Sequence, residues 1–108
     1  MKKFVLLVLI LITGLTVFSQ GIEFQKGRYA EVLEMAKKQN KLVFIDIYTS
    51  WCGPCKHMAD NVFPQAKVGE YYNAHFLNLK LDAEKSEDGK MVAKTFGVSA
   101  YPTFLFVN

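Results

Sequence analysis

The sequence holds few of the residues that carry metal, haem or nucleic-acid chemistry. Among 108 residues there are two cysteines, Cys52 and Cys55, and two histidines, His57 and His75. A structural zinc needs about four ligands, and neither histidine is matched by a second cysteine pair or set at finger spacing, so no metal is expected and both histidines read as surface groups. Covalent haem attachment needs a histidine directly after the second cysteine, where this chain has Lys56. No basic run is long enough to follow a phosphate backbone. Lys37-Lys38 has no interleaved aromatics and reads as a solvated helix face, so no nucleic-acid partner is expected. Repeats, low-complexity tracts and linkers are also missing, which leaves one folding unit, expected to act as a monomer without a bound cofactor.

Long apolar runs are scarce as well. The longest stretch, Phe4 to Phe18, is broken by Thr13, Gly14 and Thr16 and falls short of the roughly 20 residues of a spanning helix. Preceded by Lys2 and Lys3, it has the layout of a signal peptide, with Val17 and Ser19 placed as the residues before a cut. Residues 1–19 are therefore expected to be a signal peptide and 20–108 the mature domain, in the periplasm or secreted; an uncleaved anchor is the competing reading. Removing Lys2 and Lys3 from the 13 basic residues leaves 11 against 10 acidic ones, so the net charge falls from +3 to +1. At 51% apolar and 14% aromatic, the chain as a whole has a globular composition, and the part after the signal segment is expected to hold a single core.

Elements alternate along it. Ile22 to Gln25 is a candidate short strand, and Tyr29, Val32, Leu33 and Ala36 fall at helical spacing within a helix from about Arg28 to Gln39, closed by Asn40. The β-rich run Leu42 to Tyr48 predicts a central strand covered on both faces. Thr49 to Gly53 is a loop, and Pro54 suits the first turn of a helix reaching about Asn61, interrupted by Pro64. A helical piece from Gln65 to Asn73 precedes Phe76 to Leu81, which alternates like a strand with one wetter face. A short helix through Met91, Val92 and Phe96 closes at Gly97, and Thr103 to Val107 is the last strand. This order predicts an α/β sandwich with a central sheet and helices on both sides.

Trp51-Cys52-Gly53-Pro54-Cys55-Lys56 falls where the buried strand ends and a helix begins. A bridge between residues three apart removes little freedom from the unfolded chain, so stapling is a poor reason for the pair, and redox cycling a better one. If Cys52 sits just before the helix, its sulfur can accept N–H bonds from the first turn and feel the positive end of the dipole, which favours thiolate. Lowering a thiol pKa from about 8.5 to about 7 requires roughly 2 kcal/mol, and an exposed dipole supplies about 0.3 to 1, so hydrogen bonds must provide the rest. Cys55, one turn in and expected to be more buried, would resolve the mixed disulfide formed by Cys52. Asp46 interrupts the most apolar strand; buried, its pKa should rise, fitting it to exchange a proton with Cys55, whereas at a wet edge it would have no such role. Tyr101-Pro102 begins the last strand, as a bland turn or as a fixed one with a cis bond.

Taken together, Asp46 six residues before Cys52, the Trp-Cys-Gly-Pro-Cys core, and Tyr101-Pro102-Thr103 before an apolar strand resemble the thioredoxin family over about Leu42 to Val107. The resemblance implies a thioredoxin-like sandwich around a central mixed sheet. It also implies that Cys52 attacks, Cys55 resolves, Asp46 handles the proton and Pro102 is cis. Trp51, Gly53, Pro54, Ala100, Tyr101 and Pro102 would bind substrate, a protein thiol or disulfide paired by backbone at Ala100-Tyr101. The broken helix at Val62-Phe63-Pro64 is similar to exported thioredoxin-like domains of the transmembrane disulfide-reductase group, and an exported reductase would need an electron donor, expected to be a membrane protein. Gly53-Pro54 resembles the reducing members, although potentials across this fold span about 150 mV. A non-catalytic binding or chaperone-like domain is the competing class. Two departures stand out. Asn78 occupies the place of the family's strand lysine, for which Lys80 is the candidate substitute, and the chain stops at Asn108 before the family's last strand and helix, so a fragment is expected.

Overall fold

The computed structural model describes residues 20–108, and the expected signal peptide lies outside them. Helix α1, Tyr29–Gln39, buries Val32 and Ala36 and ends at Asn40, whose left-handed backbone (φ 54°) turns its N–H back to the carbonyls of Ala36 and Lys37. Asn tolerates that conformation better than most residues. Strand β1, Leu42–Tyr48, follows, and then helix α2, Gly53–His57, runs directly into a π-helical turn, Met58–Val62. Helix α3, Ala66–His75, leads into strand β2, Phe76–Asp82; helix α4, Glu87–Thr95, and strand β3, Thr103–Val107, complete the fold.

The sheet order is β2-β1-β3, with β1 parallel to β2 and antiparallel to β3. Strand β1 is thus central, which is why its sequence is apolar on both faces. Val43, Ile45 and Ile47 point to one side, with Leu77, Leu79 and Leu81, and pack against Val32 and Ala36 of α1 and Val92 and Ala93 of α4. Phe44 points to the other, edge-on to Tyr72 of α3 at 4.9 Å and to Phe63 at 6.2 Å. The result is a mixed three-stranded sheet with helices on both faces. On β3, Phe104 and Phe106 lie against Phe44 yet stay partly exposed.

Three sequence expectations change in detail. The candidate strand at Ile22 to Gln25 is a single bridge, Phe24 to Asn78, beside β2. On the wetter face of β2, where Phe76, Lys80 and Asp82 stay half-buried, Asn78 is the exception: it is buried beneath α3 and donates its side-chain amide to the Tyr72 carbonyl at 3.2 Å. The helix at Pro54 starts one residue earlier and widens at Met58, where the Phe63 N–H reaches back five residues to the Met58 carbonyl at 2.9 Å.

Candidate functional site

The end of β1 places the cysteines. Beyond Tyr48 the chain turns through Thr49 and Ser50, and Cys52 becomes the N-cap of α2, its backbone still extended (φ −80°, ψ 112°). Pro54 sits in the first turn, where its missing N–H costs nothing. Cys52 and Cys55 are joined as a disulfide, and the Cys55 N–H donates to Cys52 Sγ at 3.1 Å. This is the first-turn donor that the sequence reading requires. The expected difference in burial is not present in this oxidised form, where the S–S bond holds the two side chains together: Cys52 is 6% and Cys55 5% exposed.

Asp46 is not at a wet edge. It lies on the central strand, 1% exposed, on the sheet face of Phe44. Burial pushes its carboxyl up to about 6, and Lys80, with Nζ 3.9 Å from Oδ2, opposes that rise. At that distance the interaction is Coulombic, since it exceeds hydrogen-bond length. The parallel register sets Asp46 directly beside Lys80, and Asn78 beside Phe44. Lys80 therefore supplies the cation that Asn78 does not. It borders an open depression of about 260 Å³ together with Tyr48, Lys56, Cys52 and Cys55. Burial also raises the Tyr48 hydroxyl, helped by the charges of Asp82 and Asp46.

Of the remaining sequence-predicted residues, Trp51, Gly53, Pro54 and Ala100 are exposed, and Tyr101 and Pro102 are half-buried. Trp51, 68% exposed, donates its indole N–H to Glu84 and meets the Tyr101 ring edge-on at 6.1 Å. The Tyr101-Pro102 bond is cis. The Thr103 hydroxyl donates to the Ala100 carbonyl at 2.6 Å, stitching the turn that precedes β3. Among the described residues no cluster of His, Cys, Asp and Glu is arranged to hold a metal, and exposed His57 contacts Asn61 at 3.2 Å. Sequence reasoning did not pick out Glu84 or Tyr48 as site residues. Their only signal is position, one in the polar loop after β2 and the other two residues after the buried acid.

A mixed sheet flanked by helices, with a Cys-Gly-Pro-Cys disulfide at the junction of its central strand and a helix, defines a dithiol domain of thioredoxin fold. The thioredoxin family model matches residues 22–108, and the chain belongs to that family. It is 40% identical over 76 residues to Thioredoxin H4 of Arabidopsis thaliana, covering 70% of this chain and 59% of the relative. With Thioredoxin H2-1 of Oryza sativa subsp. japonica the identity is 40% over 83 residues, 77% of this chain and 55% of the relative. The chain thus spans less than two thirds of the length of these curated relatives. Among solved structures, one described as a "putative disulphide-isomerase" from Bacteroides thetaiotaomicron superposes with a TM-score of 0.70 at 47% identity, covering 82% of this chain and 73% of that one. A thioredoxin from Thermus thermophilus shares the fold, with a TM-score of 0.68 at 24% identity over 79% of this chain and 65% of that one.

Proposed function

We propose that the chain is a thiol-disulfide oxidoreductase acting on protein substrates, working in the reducing direction in an exported compartment, as a monomer supplied with electrons by a membrane protein. The observation that carries the exchange chemistry is Cys52 Sγ held at the mouth of α2 by the Cys55 N–H. In the reduced enzyme that donor faces a thiolate, and a hydrogen bond to a charged acceptor is worth about 1.5 to 3 kcal/mol, enough with the dipole to account for the activation needed. The signal-peptide layout of residues 1–19 supports the exported location.

The Cys52 thiolate attacks one sulfur of a substrate disulfide, forming a mixed disulfide and releasing the other sulfur as thiolate. Cys55 then passes its proton to Asp46 and attacks Cys52 Sγ. The second substrate sulfur leaves as thiolate, the Cys52-Cys55 bond forms, and the two electrons lost by the pair are those gained by the substrate. Both released thiolates are protonated, one by way of Asp46. Trp51 and Tyr101 frame the approach, and the backbone at Ala100-Tyr101 pairs with an extended substrate chain. In an insulin-disulfide reduction assay with dithiothreitol as electron source, the wild-type chain should accelerate precipitation and Cys52→Ser should fall to the dithiothreitol background. Equal rates for the two proteins would reject exchange in favour of a non-catalytic binding or chaperone-like domain.

A further inference from the structure

The segment before α1 reaches the redox site from outside the Cys-Gly-Pro-Cys loop. The Ile22 N–H donates to the Phe63 carbonyl and the Gln25 N–H to the Asn78 carbonyl, each at 2.8 Å. Asn73 clamps the same segment, accepting from the Glu23 N–H at 2.9 Å and donating to the Gly21 carbonyl at 3.1 Å. Docked in this way, Phe24 packs edge-on against Phe63 at 5.5 Å and lies 5.4 Å from Lys80 Nζ. Tyr48 at 5.0 Å and Phe63 at 5.9 Å complete an aromatic box around the same ammonium, which faces Asp46 across 3.9 Å.

A lysine side chain has four flexible bonds, loses rotamer freedom when held in place, and ordinarily reaches into water. Each aromatic face attracts the ammonium, and three faces together offset that lost freedom and hold the charge near the acid. The other charged groups around the site are engaged elsewhere. Lys56 and Asp60, on α2 and the π turn, pair with each other at 3.1 Å, and Asp82 on β2 accepts the N–H groups of Glu84 and Lys85. Burial keeps the Tyr48 phenol on β1 neutral at working pH, and α3 presents the Tyr72 ring to this face.

We propose that Phe24 is a positioning residue: with Tyr48 and Phe63 it holds Lys80 against Asp46, so that the N-terminal segment of the domain sets how readily Asp46 gives up its proton. The inference rests on Asp46 serving the Cys52-Cys55 exchange, but its test does not need substrate. The Asp46 carboxyl is titrated by carbon NMR in the oxidised protein, for wild type, Lys80→Met, Lys80→Arg, Phe24→Leu and the Phe24→Leu/Lys80→Met double variant. Loss of the cation in Lys80→Met should raise the Asp46 midpoint by about one unit, a tenfold change in proton affinity, and Lys80→Arg should stay near wild type. Phe24→Leu, which keeps apolar volume without the π face, should move the midpoint upward by less. Added to Lys80→Met it should do nothing further, because its effect passes through the lysine. An unmoved midpoint in Lys80→Met, or a Phe24→Leu shift that persists in full without Lys80, would overturn the proposal. Inactivity in insulin reduction with these titrations as expected would instead count against the exchange reading alone.

Discussion

Asp46 carries the least favourable electrostatics among the described residues. Its carboxyl titrates at about 6 against an ordinary 3.8, with burial as the cause. Between those two values the folded chain keeps a proton that the unfolded chain releases. The associated stability is complete below about pH 3.8 and is lost as pH rises through 6. Asp46→Asn should therefore stabilise the oxidised protein at pH 7, by up to about 3 kcal/mol in urea denaturation, with the gain shrinking as pH falls from about 6 and gone below about pH 4. Identical urea midpoints at pH 7 would show that the carboxylate is not a burden. An acid inside an apolar run is legible in the sequence, because burial of the run follows from its composition. Its cation is legible only as the candidate Lys80, because Lys80 and Asn78 lie on the same face of one strand and the parallel register decides which of them stands beside Asp46.

At the scale of elements, α3 and the segment before α1 meet through glycine. A Cβ on Gly69 would stand 2.1 Å from the Gln20 carbonyl oxygen and 2.3 Å from Gly21 carbon, and neither backbone atom can swing aside. Gly69→Ala should cost about 1 to 3 kcal/mol by forcing the segment off the helix. Hydrogen exchange would locate that loss: the Ile22 and Gln25 amides should exchange faster, whereas β1 amides keep following global unfolding. Uniform change across both sets would argue against local release. Helix α1 was readable from periodicity, β1 from its unbroken apolar run, β3 from its apolar stretch after Pro102, and Asn40 and Gly97 from cap chemistry. The π turn was not, since one widened turn barely disturbs an apolar pattern already broken by Pro64, and the bridge at Phe24 depends on where α3 lies.

At the scale of the whole molecule, one side chain ties the two ends of the larger core. Arg28 leaves α1 without a side-chain cap of its own, and Asp88 on α4 supplies it, accepting the Tyr29 N–H at 2.8 Å while Arg28 grips the same carboxylate through two bonds of 3.0 Å. These bonds hold the Asp88 carboxyl below its ordinary range. The sign is opposite to that of Asp46: the contribution is present above the ordinary value of 3.8 and is lost as pH falls through the lowered one. Asp88→Ala should cost about 1 to 2 kcal/mol at pH 7, the worth of a helix cap, and the two proteins should converge in urea stability near pH 2. A difference that survives at pH 2 would assign the loss to packing.

Short-range chemistry determined much of this protein from its sequence: which runs are helix or strand, where α1 stops, and that a cysteine pair opens a helix behind a buried acid. Such features depend on residues within one or two turns of each other. Only the tertiary structure decided that Lys80 faces Asp46, that Phe24 closes a box around that lysine and that Asp88 caps a helix 59 residues away in the chain. Those pairings arise from strand register and helix placement, which are settled by packing the whole core at once and leave no local pattern to read.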